Sequence, residues 1–139
     1  MQGRAYLDLA RELLLGGTEA HRRGAVGRAY YALFLECRDA LFRWKFKIPP
    51  RDNVHAFVRL RFTYAQNKDL KKIGRVLDDL VIARNRADND LSALSFFASD
   101  TYPKQAVQDA ADALALLDAI EADPARRAAA IVAIQKAFP

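Results

Sequence analysis

The chain has 139 residues, of which 52% are hydrophobic and 28% are charged, and its formal net charge is +5. This length suits one domain, and no apolar run approaches the roughly 18 residues that span a bilayer, which excludes a membrane-spanning class. The single cysteine, Cys37, excludes an internal disulfide, and without a signal-peptide pattern at the N-terminus it favours the reducing cytoplasm.

Apolar residues recur every three or four positions along almost the whole chain, which predicts a series of amphipathic helices. The first runs from about Tyr6 to Leu14 and ends at Gly16-Gly17, because glycine is unfavourable inside a helix. The second runs from about Gly24 to Trp44. Because it is apolar on two faces, we expect it to be the central and most buried helix of the fold.

The prolines at Pro49-Pro50 break the chain before a third helix at about residues 53–66. A fourth helix is predicted over about residues 69–90, and a fifth over about residues 103–122. An alanine-rich sixth helix occupies about residues 125–138. No segment alternates with the period of two that a half-buried strand requires.

These elements predict an all-α fold, a single-domain antiparallel helical bundle of about five helices plus an appended C-terminal helix. The bundle is expected to cover residues 1–122. The helix within residues 123–139 is expected to pack on the same domain or to extend it.

Positive charge is concentrated in the middle of the chain. The segment from Arg22 to Arg86 contains 16 of the 22 Lys and Arg residues but only 6 of the 17 Asp and Glu residues. This distribution suits a polyanionic partner such as RNA or DNA. It also suits a basic surface that contacts only solvent, and charge alone leaves both interpretations open.

Several kinds of chemistry are missing from the sequence. Two histidines and one cysteine do not suffice for a typical zinc site. No glycine-rich phosphate loop and no nucleophile elbow are present. We therefore expect no metal or cofactor, and either a binding protein or an enzyme with few catalytic groups.

The fourth helix contains one departure from the regular pattern. Arg84 occupies a position on the apolar stripe where a leucine would be expected, and Asp88 lies one turn further on the same face. One explanation is an ion pair within a helix that frays at its end. However, Arg before Asp is the weaker orientation for such a pair, and acidic residues near a helix C-terminus oppose the helix dipole. We therefore favour a functional site.

Three segments, in this order and spacing, resemble the HEPN family, in its bacterial and archaeal branch with an Arg-x-x-Ala-Asp motif. The resemblance covers about residues 6–120, and only the last helix lies outside it. It rests on Arg28-Ala29-Tyr30-Tyr31-Ala32-Leu33-Phe34 with Cys37-Arg38-Asp39-Ala40-Leu41 behind it, on His55 followed by Phe62, and on Arg84-Asn85-Arg86-Ala87-Asp88.

The resemblance implies a function that the residues alone do not. HEPN domains are helical bundles that usually form dimers, and many are toxins or antiviral effectors that cut RNA without a metal. Many are encoded beside a nucleotidyltransferase antitoxin. The resemblance therefore implies RNA, a second copy of the chain and a nucleotidyltransferase as partners, in a toxin–antitoxin or defence system.

By position, Arg84 matches the catalytic arginine of the family and Asn85 the polar residue after it. Asn89 stands where the family has its histidine, or Asp90 if the spacing is one residue longer. Asparagine does not exchange a proton near neutral pH, so this substitution weakens the case for acid–base catalysis. Asp88 is expected to hold Arg84 in place.

Four further residues are expected to line the RNA-binding cleft, namely Arg28, Tyr31, His55 and Arg86. His55 is either an ordinary residue at a helix start or a proton carrier in place of the missing histidine. Three functions stay open: a metal-independent endoribonuclease, a non-catalytic module that binds RNA, nucleotide or a nucleotidyltransferase, and a helical scaffold whose polar cluster is a dimer contact.

Overall fold

The computed structural model describes all residues, 1–139, and contains seven helices and no strand. The helices are α1 (Ala5–Leu15), α2 (Glu19–Arg43), α3 (Val54–Tyr64), α4 (Lys68–Asn89), α5 (Leu94–Phe97), α6 (Thr101–Ala122) and α7 (Pro124–Ala137). This confirms the all-α, single-domain prediction. The six predicted helices are all present, and the additional one is the four-residue α5, which is too short to show a helical period. None of the helices combines the length and apolar composition needed to cross a bilayer.

Helix α2 is central, as expected from its two apolar faces. It packs against α1, α4 and α6, and residues such as Ala29, Leu33 and Cys37 on it are fully buried. It begins five residues earlier than predicted, because Thr18 is an N-cap whose hydroxyl accepts the backbone N–H of His21. Gly17, just before this cap, has φ of +76°, which explains why the turn from α1 contains a glycine.

Helices α3 and α4 cross at very short range. A Cβ atom on Gly74 of α4 would lie 2.8 Å from the backbone nitrogen of Thr63 in α3. Only glycine therefore permits this approach without displacing one of the two helices. The crossing fixes the C-terminal end of α3, which begins at Val54, against the first half of α4.

The predicted apolar stripe of α4 is confirmed as far as Ala87, but the prediction is wrong beyond that residue. Ile73, Leu77 and Leu80 are buried as predicted. Leu91, predicted to continue the stripe, is 74% exposed. The reason is that α4 ends at Asn89, and a turn follows in which the carboxylate of Asp90 accepts the backbone N–H and the hydroxyl of Ser92.

Helix α7 packs on the bundle, against α3 and α6. Its N-cap is Asp123, whose carboxylate accepts the backbone N–H groups of residues 125 and 126. The guanidinium of Arg126 lies 3.0 Å from the Asp69 carboxylate at the start of α4. At the other end, the guanidinium of Arg61 in α3 lies between the rings of Phe57 and Phe138, 3.8 and 4.0 Å from their centroids.

Candidate functional site

Arg84 lies on α4 where that helix faces two tyrosines of α2. Its guanidinium carbon is 4.9 Å from the ring centroid of Tyr31 and 5.3 Å from that of Tyr30. Its Nη2 atom donates to the Tyr31 hydroxyl at 3.2 Å. Aromatic ring faces stabilise a cation, so they explain how an arginine occupies the apolar stripe.

The ion pair between Arg84 and Asp88, which the sequence offered as the alternative to a functional site, is present. Arg84 Nε lies 3.5 Å from Asp88 Oδ2, and the two side chains are 30% and 49% exposed. At this exposure an ion pair contributes little to stability. Nη1 of Arg84 makes no hydrogen bond within the chain and is not buried, so both of its N–H groups are available to a ligand.

His55 joins this site from the first turn of α3. Its Nδ1 atom lies 2.6 Å from the Tyr30 hydroxyl, and its ring stacks on Phe34 with centroids 4.1 Å apart. Burial and the neighbouring charge of Arg84 both lower the pKa of His55 below its ordinary value. Burial raises the pKa of Tyr30 to about 12. At neutral pH the imidazole is therefore uncharged and the phenol is protonated.

Acidification from pH 7.5 to pH 5.5 is expected to lower the melting temperature, and the variant His55→Gln is expected to reduce that loss. The unfolded imidazole takes up a proton near its ordinary pKa of about 6.5, whereas the folded one does so only at lower pH. The unfolded state therefore gains protons first, and stability falls as the pH falls. Thermal melts at several pH values measure this.

The control for this experiment is His21→Gln at the start of α2. It removes the other histidine of the chain but leaves the Tyr30–His55 contact intact. If both variants, or neither of them, reduce the loss of melting temperature on acidification, the lowered pKa of His55 is not the cause of that loss.

We call the group of Tyr30, Tyr31, His55, Arg84 and Asp88 the Arg84 cluster. Some of the other residues predicted for the site lie outside it. Arg28 is exposed and lies beside it, because its guanidinium is 5.5 Å from the ring of Tyr6, which in turn is 6.2 Å from the ring of Tyr31.

Arg86 lies on another side of α4, although the sequence places it in the same motif as Arg84. Its Nη1 atom donates to the Tyr102 hydroxyl at 2.9 Å, and its guanidinium carbon is 3.9 Å from the ring centroid of Phe96. Arg86 therefore connects α4 to α5 and α6. Residues two positions apart on a helix are separated by about 200° around its axis, which explains this divergence.

The side chains of Asn85 and Asn89 are exposed and make no hydrogen bond within the chain. Since α4 is continuous to Asn89, Arg84 and Asn89 stay about 140° apart around the helix axis. The structure therefore places His55, and not Asn89, beside the Tyr30 and Tyr31 rings that contact Arg84 in one copy of the chain.

Sequence reasoning missed Arg23, which is only 7% exposed. Its Nη1 atom donates to the carbonyl oxygens of Arg86, Ala87 and Asp90 at 3.2, 2.9 and 2.9 Å. This positive charge at the end of α4 offsets the unfavourable placement of Asp88 there. Arg23 stands seven residues before Tyr30 and occupies a position on the apolar stripe of α2. An arginine on an apolar stripe is the same signal that identified Arg84.

The Arg84 cluster differs from the cavities elsewhere in the molecule. A cavity of about 290 Å³ lies between α4 and α6 beside Arg86, and an apolar one of about 660 Å³ lies between α3 and α7. Neither is lined by a residue of the cluster. The half-buried guanidinium of Arg84, which lines neither cavity, therefore suits an extended ligand more than an enclosed small molecule.

Comparisons of the chain with protein-family models, with curated proteins and with solved structures found no match. The case for a function therefore depends on the geometry of the Arg84 cluster and on the sequence motifs.

Proposed function

We propose that this chain is a HEPN-type, RNA-directed domain that binds the RNA backbone through Arg84. The observation that carries this proposal is the half-buried guanidinium of Arg84, held on two tyrosine rings with Nη1 unengaged. A guanidinium whose position is already fixed loses little entropy on binding, and it can donate two parallel hydrogen bonds to a phosphate.

The exposed positive charge of the chain supports an RNA backbone as the ligand. Arg28 lies beside the cluster, and the segment that leads from α2 to His55 carries the exposed residues Lys45, Lys47 and Arg51. A chain with several exposed cations besides one fixed arginine suits a ligand with repeated phosphates more than a single anion.

We also propose that the chain works as a homodimer in the cytoplasm, in a toxin–antitoxin or defence system with a nucleotidyltransferase partner. A symmetric interface would place two Arg84 clusters across one cleft. Light scattering at micromolar concentration is expected to give twice the monomer mass of 15.6 kDa, and a mass equal to the monomer would contradict the dimer.

The second candidate is a binding module without catalysis, for RNA, nucleotide or the nucleotidyltransferase. If the chain cuts RNA, the 2′-hydroxyl attacks the adjacent phosphate and Arg84 stabilises the negative charge that develops. This reaction needs a proton acceptor, and Asn89 does not provide one. The exposed Asn89 therefore favours binding over cleavage.

Binding and cleavage of a labelled single-stranded RNA distinguish these functions. We expect binding whose affinity falls about tenfold or more between 50 and 200 mM salt, because phosphate contacts release counterions. Cleavage with excess chelator present would identify a metal-independent ribonuclease. An affinity that does not change with salt, or no binding at low salt, would contradict an RNA-directed function.

A further inference from the structure

The hydroxyl of Tyr30 has one hydrogen-bond partner in the chain, Nδ1 of His55 at 2.6 Å. Tyr30 is only 2% exposed, so its O–H group needs an acceptor. If Nδ1 carried a hydrogen, it would donate to the phenolic oxygen, and the hydroxyl hydrogen would be left without an acceptor. If Nδ1 is unprotonated, it accepts from the hydroxyl and both groups are satisfied.

The opposite nitrogen of the same ring is open to a ligand. Nε2 of His55 makes no hydrogen bond within the chain, and it is not one of the buried side-chain atoms that lack a partner. The imidazole lies 5.8 and 6.3 Å from the Tyr30 and Tyr31 rings, centroid to centroid, and these two rings also contact the Arg84 guanidinium. His55 and Arg84 therefore lie against the same two rings, close enough for the charge of Arg84 to lower the pKa of His55.

We infer that Tyr30 holds His55 in the tautomer with its hydrogen on Nε2, so that His55 is an uncharged hydrogen-bond donor to the phosphate that Arg84 binds. This inference rests on the proposed function and deepens it. An Nε2 atom that already carries a hydrogen does not accept one from a 2′-hydroxyl. The site then binds a phosphodiester with two donors, one charged and one neutral, and His55 is a binding residue and not a general base.

Protonation of His55 would also disrupt the Tyr30 contact. In the imidazolium both ring nitrogens are donors, so Nδ1–H would face the donor hydroxyl of Tyr30. This conflict acts in the same direction as burial and the charge of Arg84, which lower the pKa of His55. The neutral donor form is therefore maintained at the pH of the cytoplasm.

The tautomer can be measured on the complete chain without RNA. Two-bond ¹H–¹⁵N spectra of histidine-labelled protein at pH 7 are expected to show Nε2 protonated and Nδ1 unprotonated in His55. In Tyr30→Phe the population of the Nδ1–H tautomer should rise toward that of a free neutral imidazole. A hydrogen on Nδ1 of His55 in the wild type, or a charged imidazolium, would overturn the inference.

The role of the donor is measured by RNA affinity in two matched variants. In His55→Gln the amide reaches the position of Nε2, so affinity should stay within about threefold of wild type. In His55→Asn the shorter amide reaches only the position of Nδ1, so affinity should fall about tenfold, as for the loss of one hydrogen bond to an anion. Equal affinities in the two variants would refute the donor role.

These measurements separate the inference from the proposed function. A wild-type chain that binds no RNA overturns both the RNA-directed function and the phosphate role of His55, whatever its tautomer. A chain that binds RNA through Arg84 but carries the hydrogen on Nδ1 overturns the inference alone. Circular dichroism of each variant confirms that it is folded before its affinity is compared.

Discussion

Replacing Arg84 by alanine is expected to lower the affinity for single-stranded RNA by about 10- to 100-fold, because hydrogen bonds to a charged group contribute about 1.5–3 kcal/mol. The fold should change little. The Asp88 partner is 49% exposed, and loss of the contacts with the two tyrosine rings at a partly exposed site costs about 1 kcal/mol. Fluorescence polarisation at one ionic strength measures the affinity, and thermal melting measures the stability.

Two further variants make this experiment specific. Arg84→Lys keeps the charge but not the two parallel donors, so its affinity should lie between those of wild type and Arg84→Ala. Arg75→Ala removes an exposed arginine from the same helix and is expected to lower affinity by less than about threefold, as for one screened phosphate contact. Equal losses in Arg75→Ala and Arg84→Ala would show that only net charge matters.

Arg23→Ala is expected to have the largest effect on stability, a loss of about 3 kcal/mol in the free energy of unfolding. The change leaves the carbonyl oxygen of Ala87 without a donor, and those of Arg86 and Asp90 keep only the backbone N–H groups of Asp90 and Ala93. It also removes the guanidinium that lies 4.4 Å from the ring centroid of Phe97 in α5. For a domain of this size, the melting temperature should fall by roughly 10 °C.

The control for this variant is Arg22→Ala, a substitution at the neighbouring residue. Arg22 makes one hydrogen bond, to the carbonyl oxygen of Phe97 at 3.3 Å, so Arg22→Ala should cost less than about 1.5 kcal/mol. Chemical denaturation of both variants gives the comparison. If Arg23→Ala is no more destabilised than Arg22→Ala, the carbonyls at the end of α4 are adequately solvated, and Arg23 does not stabilise that end.

Most of the fold could be predicted from the sequence because it depends on local periodicity. The apolar spacing of α2 and α4 determines which faces are buried, and the caps and prolines between helices determine where most of them end. The short α5 and the early start of α2 at Glu19 could not be predicted in this way. The first is less than two turns long, and the second depends on a single cap, Thr18.

The site was only partly predictable, for a different physical reason. Arg84 and Asp88 are neighbours on one helix, so their spacing alone predicted the ion pair. The hydrogen bond between Tyr30 and His55 joins residues 25 positions apart, and it depends on how α2 and α3 cross. Arg86 belongs to the same motif as Arg84 but contacts α5 and α6, because motif spacing does not specify the direction of a side chain.

The close crossing at Gly74 has a mechanical consequence for the Arg84 cluster. If α4 tilts against α3 about this crossing, Arg84 lies ten residues further along α4, about 15 Å from the pivot. A tilt of about 5° at the pivot therefore displaces Arg84 by about 1 Å relative to His55, which belongs to the other helix. Such a displacement is enough to break a hydrogen bond to a shared phosphate. The proposed alignment of Arg84 and His55 on one phosphate thus depends on the absence of a side chain at Gly74, which is distant from both.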